Sequence, residues 1–106
     1  MTIGRTILAT IDGCELEADV ATASADARGA VALAHPHPLH GGTRFDRVVD
    51  ALFRTLPTLG FHALRFDFRG VGKSTGTHDH GDSERLDVAA AVDFLAGLTD
   101  ERSEEH

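Results

Sequence analysis

Tryptophan and tyrosine are absent from this chain, and cysteine and methionine occur once each. A lone thiol, Cys14, excludes an internal disulfide framework, so the fold must be held by packing and polar bonding. No apolar run approaches the ~18 residues needed to cross a bilayer, and Met1-Thr2-Ile3-Gly4-Arg5 lacks the apolar segment of a secretory signal. A cytoplasmic protein with no membrane partner is expected. Cations are scarce: 10 Lys and Arg face 17 Asp and Glu, for a formal net charge of −7. That balance repels phosphate backbones and argues against nucleic acid as a partner. Hydrophobic residues at 42% and charged residues at 25% are ordinary globular usage, which excludes a disordered chain. At 106 residues the chain is at most one domain, able to bury roughly 60–70% of its unfolded surface.

Residues 6–11 and 14–21, on either side of Asp12-Gly13, read as a β-hairpin over 6–21. Asp-Gly suits the centre of a type I′ turn, which needs positive φ at both middle residues. In the second arm Cys14, Leu16, Ala18 and Val20 alternate with Glu15, Glu17 and Asp19, the period of a strand with one face in the core and the other in water. Cys14 falls on the inward face, as a buried structural thiol. Residues 23–29 form a small, polar surface loop. Residues 30–34 are apolar without alternation, as in a parallel strand covered on both faces.

Beyond them, Phe45, Val48, Val49, Leu52, Phe53 and Leu56 share one helical stripe, with Thr43 placed to cap its start, Pro57 to end it and Gly60 to follow. Residues 62–68 are the next strand, which makes a right-handed β-α-β unit with parallel strands. A second helix, from Asp82 or Ser83 to Leu98, presents Leu86, Val88, Val92, Phe94, Leu95 and Leu98 to the sheet. The fold class is α/β, a hairpin followed by a β-α-β-α run over 30–98, and 99–106 form a charged, frayed tail.

Two glycine-bearing loops carry the chemistry. One is His35-Pro36-His37-Pro38-Leu39-His40-Gly41-Gly42, the other Arg69-Gly70-Val71-Gly72-Lys73-Ser74-Thr75-Gly76. Each follows an apolar strand, and loops at the carboxyl ends of parallel strands are where open α/β sheets place ligands. Gly72-Lys73-Ser74-Thr75 invites a phosphate-loop reading, but the first glycine of that motif falls at Asp67 and the helix signal comes about ten residues late. His35, His37, His40, His78, Asp79, His80 and Asp82 invite a metal, yet no helical His-Glu-x-x-His pair is present and the prolines splay the first histidines apart. No cofactor and no metal are expected. The third reading uses backbone donors. Pro36 and Pro38 have no N–H, and an amide held between two prolines is suited to face a developing oxyanion. The plainer alternative is a loop that only turns a corner.

His35-Pro36-His37-Pro38 with Gly41-Gly42 and Val48-Val49, then Arg65-Phe66-Asp67-Phe68-Arg69-Gly70-Val71-Gly72 with Ser74 and Gly76, resembles the α/β-hydrolase superfamily. Within it the sequence is similar to small, dienelactone-hydrolase-like serine hydrolases over residues 30–98. The resemblance implies a partial domain, the amino-terminal half of a mostly parallel hydrolase sheet, acting on ester bonds of a small-molecule acyl substrate. It implies that the His37 amide is the first oxyanion donor, with Leu39 the runner-up. It gives His35, Gly41, Gly42, Arg69, Gly70, Gly72 and Ser74 structural roles in the loops: turn geometry, a salt link and a hydroxyl bond to backbone. Asp67 and Asp46 stand where such sequences more usually carry asparagine.

The departure lies in the nucleophile. No Gly-x-Ser-x-Gly pentapeptide occurs, and the serines are Ser24, Ser74, Ser83 and Ser103. Ser74 could substitute, with His78 or His80 as base and Asp79 or Asp82 as orienter, only if hydrogen bonds of about 2.6–3.2 Å link all three. Two expectations follow: an amino-terminal half of an esterase-like acyl hydrolase that carries no triad and is inactive alone, or a non-enzymatic module that self-associates or binds a partner through an exposed sheet edge.

Overall fold

The computed structural model describes residues 2–24, 26–35, 42–77 and 83–103. Four strands form one sheet in the order β1-β2-β4-β3. They are β1 (Thr2–Ala9), β2 (Glu15–Thr22), β3 (Gly29–Leu33) and β4 (Phe61–Phe66). Helix α1 (Arg47–Thr55) leads into a single 3-10 turn (Leu56–Leu59), and helix α2 spans Glu84–Ser103. β3 and β4 are parallel, with Val31 beside Ala63, whereas β2 meets both β1 and β4 antiparallel. The hairpin and the β-α-β-α run are thus present in the expected order. Among the described residues no helix is long and apolar enough to cross a membrane.

Strand alternation decides which helix covers which face. Leu64 and Phe66 of β4 point the same way as Leu8, Leu16 and Ala18, and together they pack under Ala91 and Leu95 of α2. Ala63 points the other way, with Ala21 and Leu33, under Val49 and Phe53 of α1. Phe53 and Phe66 are almost wholly buried, each worth about 1.5–3 kcal/mol of transfer free energy. Cys14 is half-buried and packs against the α2-side cluster.

Several expectations are corrected. The hairpin is closed by a turn in which Thr10 and Cys14 pair, the Thr10 N–H donating to the Cys14 carbonyl at 2.9 Å, and the Gly13 N–H donates to the Thr10 carbonyl at 3.1 Å. Ile11 and Asp12 are therefore its middle residues, and the positive φ falls on Gly13, at 95°. A three-residue loop of this kind needs one left-handed residue where the type I′ turn needs two. The second arm does not present its acidic face to water, since Glu17 and Asp19 are each only 7% exposed. The alternation assigned the faces, but arginines rather than solvent cover this one.

Helix α1 is capped by Asp46 and not by Thr43. Thr43 instead makes the turn before the helix, its carbonyl accepting from the Asp46 N–H at 3.0 Å and its hydroxyl from the Phe45 N–H at 3.1 Å. With the helix starting later, only Val49 and Phe53 of the predicted stripe are buried, while Phe45, Val48 and Leu52 are exposed. In α2, Val88 and Val92 also lie open rather than against the sheet. That helix continues through Ser103, where 99–106 read as a frayed tail.

The Asp46 carboxylate accepts from the Val48 and Val49 N–H groups at 3.0 and 3.3 Å, satisfying amides that have no partner within the helix. Asp46→Ala is expected to lower stability by about 1 kcal/mol, read as a drop in Tm of a few degrees. An unchanged Tm would contradict that cap.

Candidate functional site

Because β3 and β4 are parallel, with Leu33 beside Arg65, both open at the same sheet edge, and both glycine-bearing loops start there. His35 follows β3 by two residues and is buried. Its Nε2 accepts the Phe68 N–H at 3.1 Å, and its ring meets the Phe68 ring edge-on at 4.9 Å. His37, Leu39 and Gly41 lie outside the described residues, and so do the histidines and aspartates at 78–80 and 82. The chain is described again from a half-buried Gly42. Two residues later the Arg44 N–H donates to Asp67 Oδ1 at 2.7 Å. Both ends of the histidine-proline loop are thereby bonded to consecutive residues, Asp67 and Phe68.

Arg44 is the centre of that anchorage. Its Nε donates to Asp19 Oδ2 at 3.0 Å, its Nη2 to Glu17 Oε1 at 3.0 Å, and its Nη1 to Asp67 Oδ2. Asp19 Oδ2 is shared with Arg65 Nε at 2.9 Å, and Arg65 Nη1 reaches Asp50 of α1 at 2.9 Å. The flat faces are covered too: Arg44 lies 4.4 Å from the Phe45 ring centroid, and Arg65 lies 4.2 Å from that of Phe53. Burial alone would lower the Arg44 pKa, but the hydrogen bond to Asp19 and the attraction of Asp67 and Asp19 outweigh it and hold the guanidinium above its usual range. Charges removed from water persist only when they are paired in this way.

A second arginine fixes the other loop. Arg69 donates from Nε and Nη2 to Asp87 Oδ1 at 3.0 and 2.8 Å, from its backbone N–H to Asp87 Oδ2 at 2.9 Å, and from Nη1 to Asp12 Oδ2 at 2.7 Å. One side chain thus ties the loop after β4 to α2 and to the hairpin turn. The hydrogen bond from Arg69, followed by that from the Thr10 hydroxyl, holds the Asp12 carboxyl down at about 2. Gly70 and Gly72 both have positive φ, at 77° and 55°. At Gly72 a Cβ would also lie 2.8 Å from Asp67 Oδ2, so a side chain there would push on the carboxylate that holds Arg44.

Ser74 is braced, not poised to attack. Its hydroxyl donates to the Asp67 carbonyl and accepts from the Glu17 N–H, each at 2.9 Å, and it is buried. Next to it Thr75 exchanges bonds with Glu15, so the loop runs back along β2. Turns close over residues 68–71 and 71–74 and α2 begins only at Glu84, an arrangement without the helix N-terminus that a phosphate loop requires. Among the described residues no group of three His, Cys, Asp or Glu could hold a metal ion.

The loop residues singled out in the sequence are therefore gathered at one edge wherever they are described. The carboxylates of Glu17, Asp19 and Asp87, and Arg44 itself, are additions. One signal for them was available, the acidic alternation of β2 facing Arg65 across the β2–β4 register, in which Asp19 stands beside Arg65.

No family model matches the chain. An uncharacterized protein of Rickettsia prowazekii (strain Madrid E) is 44% identical over 61 residues, which is 58% of this chain and 26% of that protein. Among solved structures, an α/β serine hydrolase homologue from Coxiella burnetii superposes with a TM-score of 0.77 at 34% identity, over 92% of this chain and 47% of its own. The Pyrococcus furiosus esterase Pf2001 gives a TM-score of 0.77 at 25% identity, over 95% of this chain and 38% of its own. The chain thus spans less than half the length of each. A hairpin, a parallel β-α-β crossover and a second helix on the opposite face, in the sheet order seen here, constitute the amino-terminal half of an α/β-hydrolase fold. The chain is related to the α/β serine hydrolases.

Two outcomes are expected. Arg44→Met removes the cation from buried Glu17, Asp19 and Asp67 and should cost about 3 kcal/mol or more. Adding Asp67→Asn should recover part of that loss in denaturant unfolding, because one unpaired carboxylate is gone; a double variant no more stable than the single would contradict the pairing. The second outcome concerns acid. The folded-state value of Asp12, about 2, lies below its ordinary 3.8. Its contribution is therefore complete above about pH 4 and is lost as pH falls from there towards 2. Asp12→Asn should flatten the acid limb of a Tm-against-pH curve, and an unaltered slope would contradict the Arg69 link.

Proposed function

We propose that the chain is the oxyanion-side half of an esterase-like acyl hydrolase and does not turn over substrate by itself. In this reading the His37 amide is the first donor to the developing oxyanion and Leu39 the runner-up, while the attacking serine, its base and its acid come from polypeptide outside these 106 residues. The observation that carries the reading is the double anchorage of the histidine-proline loop, by His35 on the Phe68 N–H and by the Arg44 N–H on Asp67. Donors help acyl transfer only if they are held still before charge develops, and ties at His35 and Arg44 support the reading. The likeness to the serine hydrolase homologue and to the esterase supports ester bonds as the target. The substrate is a small acyl compound, and the compartment is the cytoplasm, in keeping with a chain that has one thiol.

The test is hydrolysis of p-nitrophenyl acetate by the purified chain. No rate above buffer is expected. A clear rate abolished by Ser74→Ala would overturn the proposal and make the loop serine the nucleophile.

A further inference from the structure

We propose that the outer edge of β1 is a self-association surface, on which a second copy of this chain adds its own β1 antiparallel across a two-fold axis at Ile7. This pairing does not depend on the esterase reading. Among the described residues β1 pairs on one side only, with β2, and so is a terminal strand of the sheet. An edge strand leaves a row of N–H and C=O groups open to another chain, and proteins guard such edges with charge, proline or short length. β1 runs for eight residues, Thr2–Ala9, without proline and with Arg5 as its single charge.

The chain has three isoleucines, Ile3, Ile7 and Ile11, one at every fourth position. Isoleucine is among the residues most often found fully buried, yet these three are 50%, 55% and 92% exposed. Leu8 points into the cluster under α2, so Ile3, Arg5, Ile7 and Ala9 project together from the opposite face of β1. Their spacing is symmetric about Ile7. An antiparallel copy rotated about that residue sets Ile7 against Ile7 and brings Ile3 of each copy level with Ile11 of the other, covering all three by the cross-strand pairing that stabilises sheets.

Charge selects the same register. It places Arg5 of one copy opposite Ala9 of the other, and Ala9 stands beside Glu15 of its own β2. Arg5 and the Glu15 of the other copy are then two strand spacings apart, roughly 9–10 Å between Cα atoms, with only a methyl group between them. An arginine and a glutamate leaning towards each other span that gap, and the two-fold axis makes the pair twice. Both side chains are available for it. Arg5 is 67% exposed and meets Glu17 only at 3.7 Å, while Glu15 is exposed and in no ion pair among the described residues. A register centred on Arg5 would instead set like charges directly opposite. The net charge of −7 on each copy opposes association, but β1 contributes none of the negative charge, and exposed charges more than about 8 Å apart are largely screened at physiological salt.

The test is sedimentation equilibrium of the purified 106-residue chain over a range of concentrations, where a monomer–dimer equilibrium is expected. Ile7→Lys should weaken the dimer about tenfold or more while leaving the Tm of the dilute chain within a few degrees, because the side chain is already exposed. Val92→Lys, exposed on α2, should leave the dimer intact. Arg5→Glu and Glu15→Arg should each weaken it severalfold and, when combined, restore it, since exchanging the two charges keeps both pairs between copies. A chain monomeric at every concentration, or a dimer indifferent to Ile7→Lys, overturns the β1 surface. A combined variant no tighter than either single variant overturns the register centred on Ile7.

Discussion

Everything at the carboxyl edge of this sheet depends on one guanidinium set among buried carboxylates. Glu17 and Asp19 leave β2 on the face away from α2, and Asp67 follows β4 directly, so three negative charges meet where water is excluded. Left alone they would repel one another and pull the strands apart. Arg44 turns that repulsion into a cross-brace, because its planar fork can donate along several directions at once, which a lysine ammonium on a flexible stem does less well. The brace links β2, the loop after β4 and the returning end of the histidine-proline loop. Arg65 extends it to α1 through Asp50.

That arrangement makes the geometry of the loop after β4 a property of the core rather than of the loop. Asp67 uses its two carboxylate oxygens on the backbone and side chain of Arg44, its carbonyl on Ser74 and its N–H on the Glu17 carbonyl. Few residues in the chain are so fully committed. The positive φ of Gly72 and the lack of room for a Cβ beside that carboxylate have the same origin, since the chain must turn tightly to bring Ser74 back against β2. Arg69 repeats the strategy on the other side, joining α2 and the hairpin turn through Asp87 and Asp12. A domain with a modest core thus fixes its loops by buried ion pairs, each costly to assemble and costlier to break.

Much of the fold could be read from the residues because hydrophobic spacing is local. The alternation in β2, the unbroken apolar run of β3 and the position of Pro57 each pointed to the element found. What failed were inferences about what lies opposite an element. Glu17 and Asp19 read as a wetted face, since nothing within β2 reveals that Arg44, 25 residues on from Asp19, folds back over it. Thr43 and Asp46 are both able helix caps, and the choice between them turned on where Arg44 had to sit. The exposed apolar residues of α1 and α2 read as core for the same reason: periodicity gives a stripe but not the identity of its cover. The amides of His37 and Leu39 lie outside the described residues.

The central claim is that the histidine-proline loop is clamped at both ends onto Asp67 and Phe68. Hydrogen exchange followed residue by residue by NMR reads it directly, because the donors are two backbone amides, those of Arg44 and Phe68. The account predicts that both are protected to nearly the extent of the β4 amides, despite lying outside any strand or helix. Exchange of either at the rate of an open loop would contradict it.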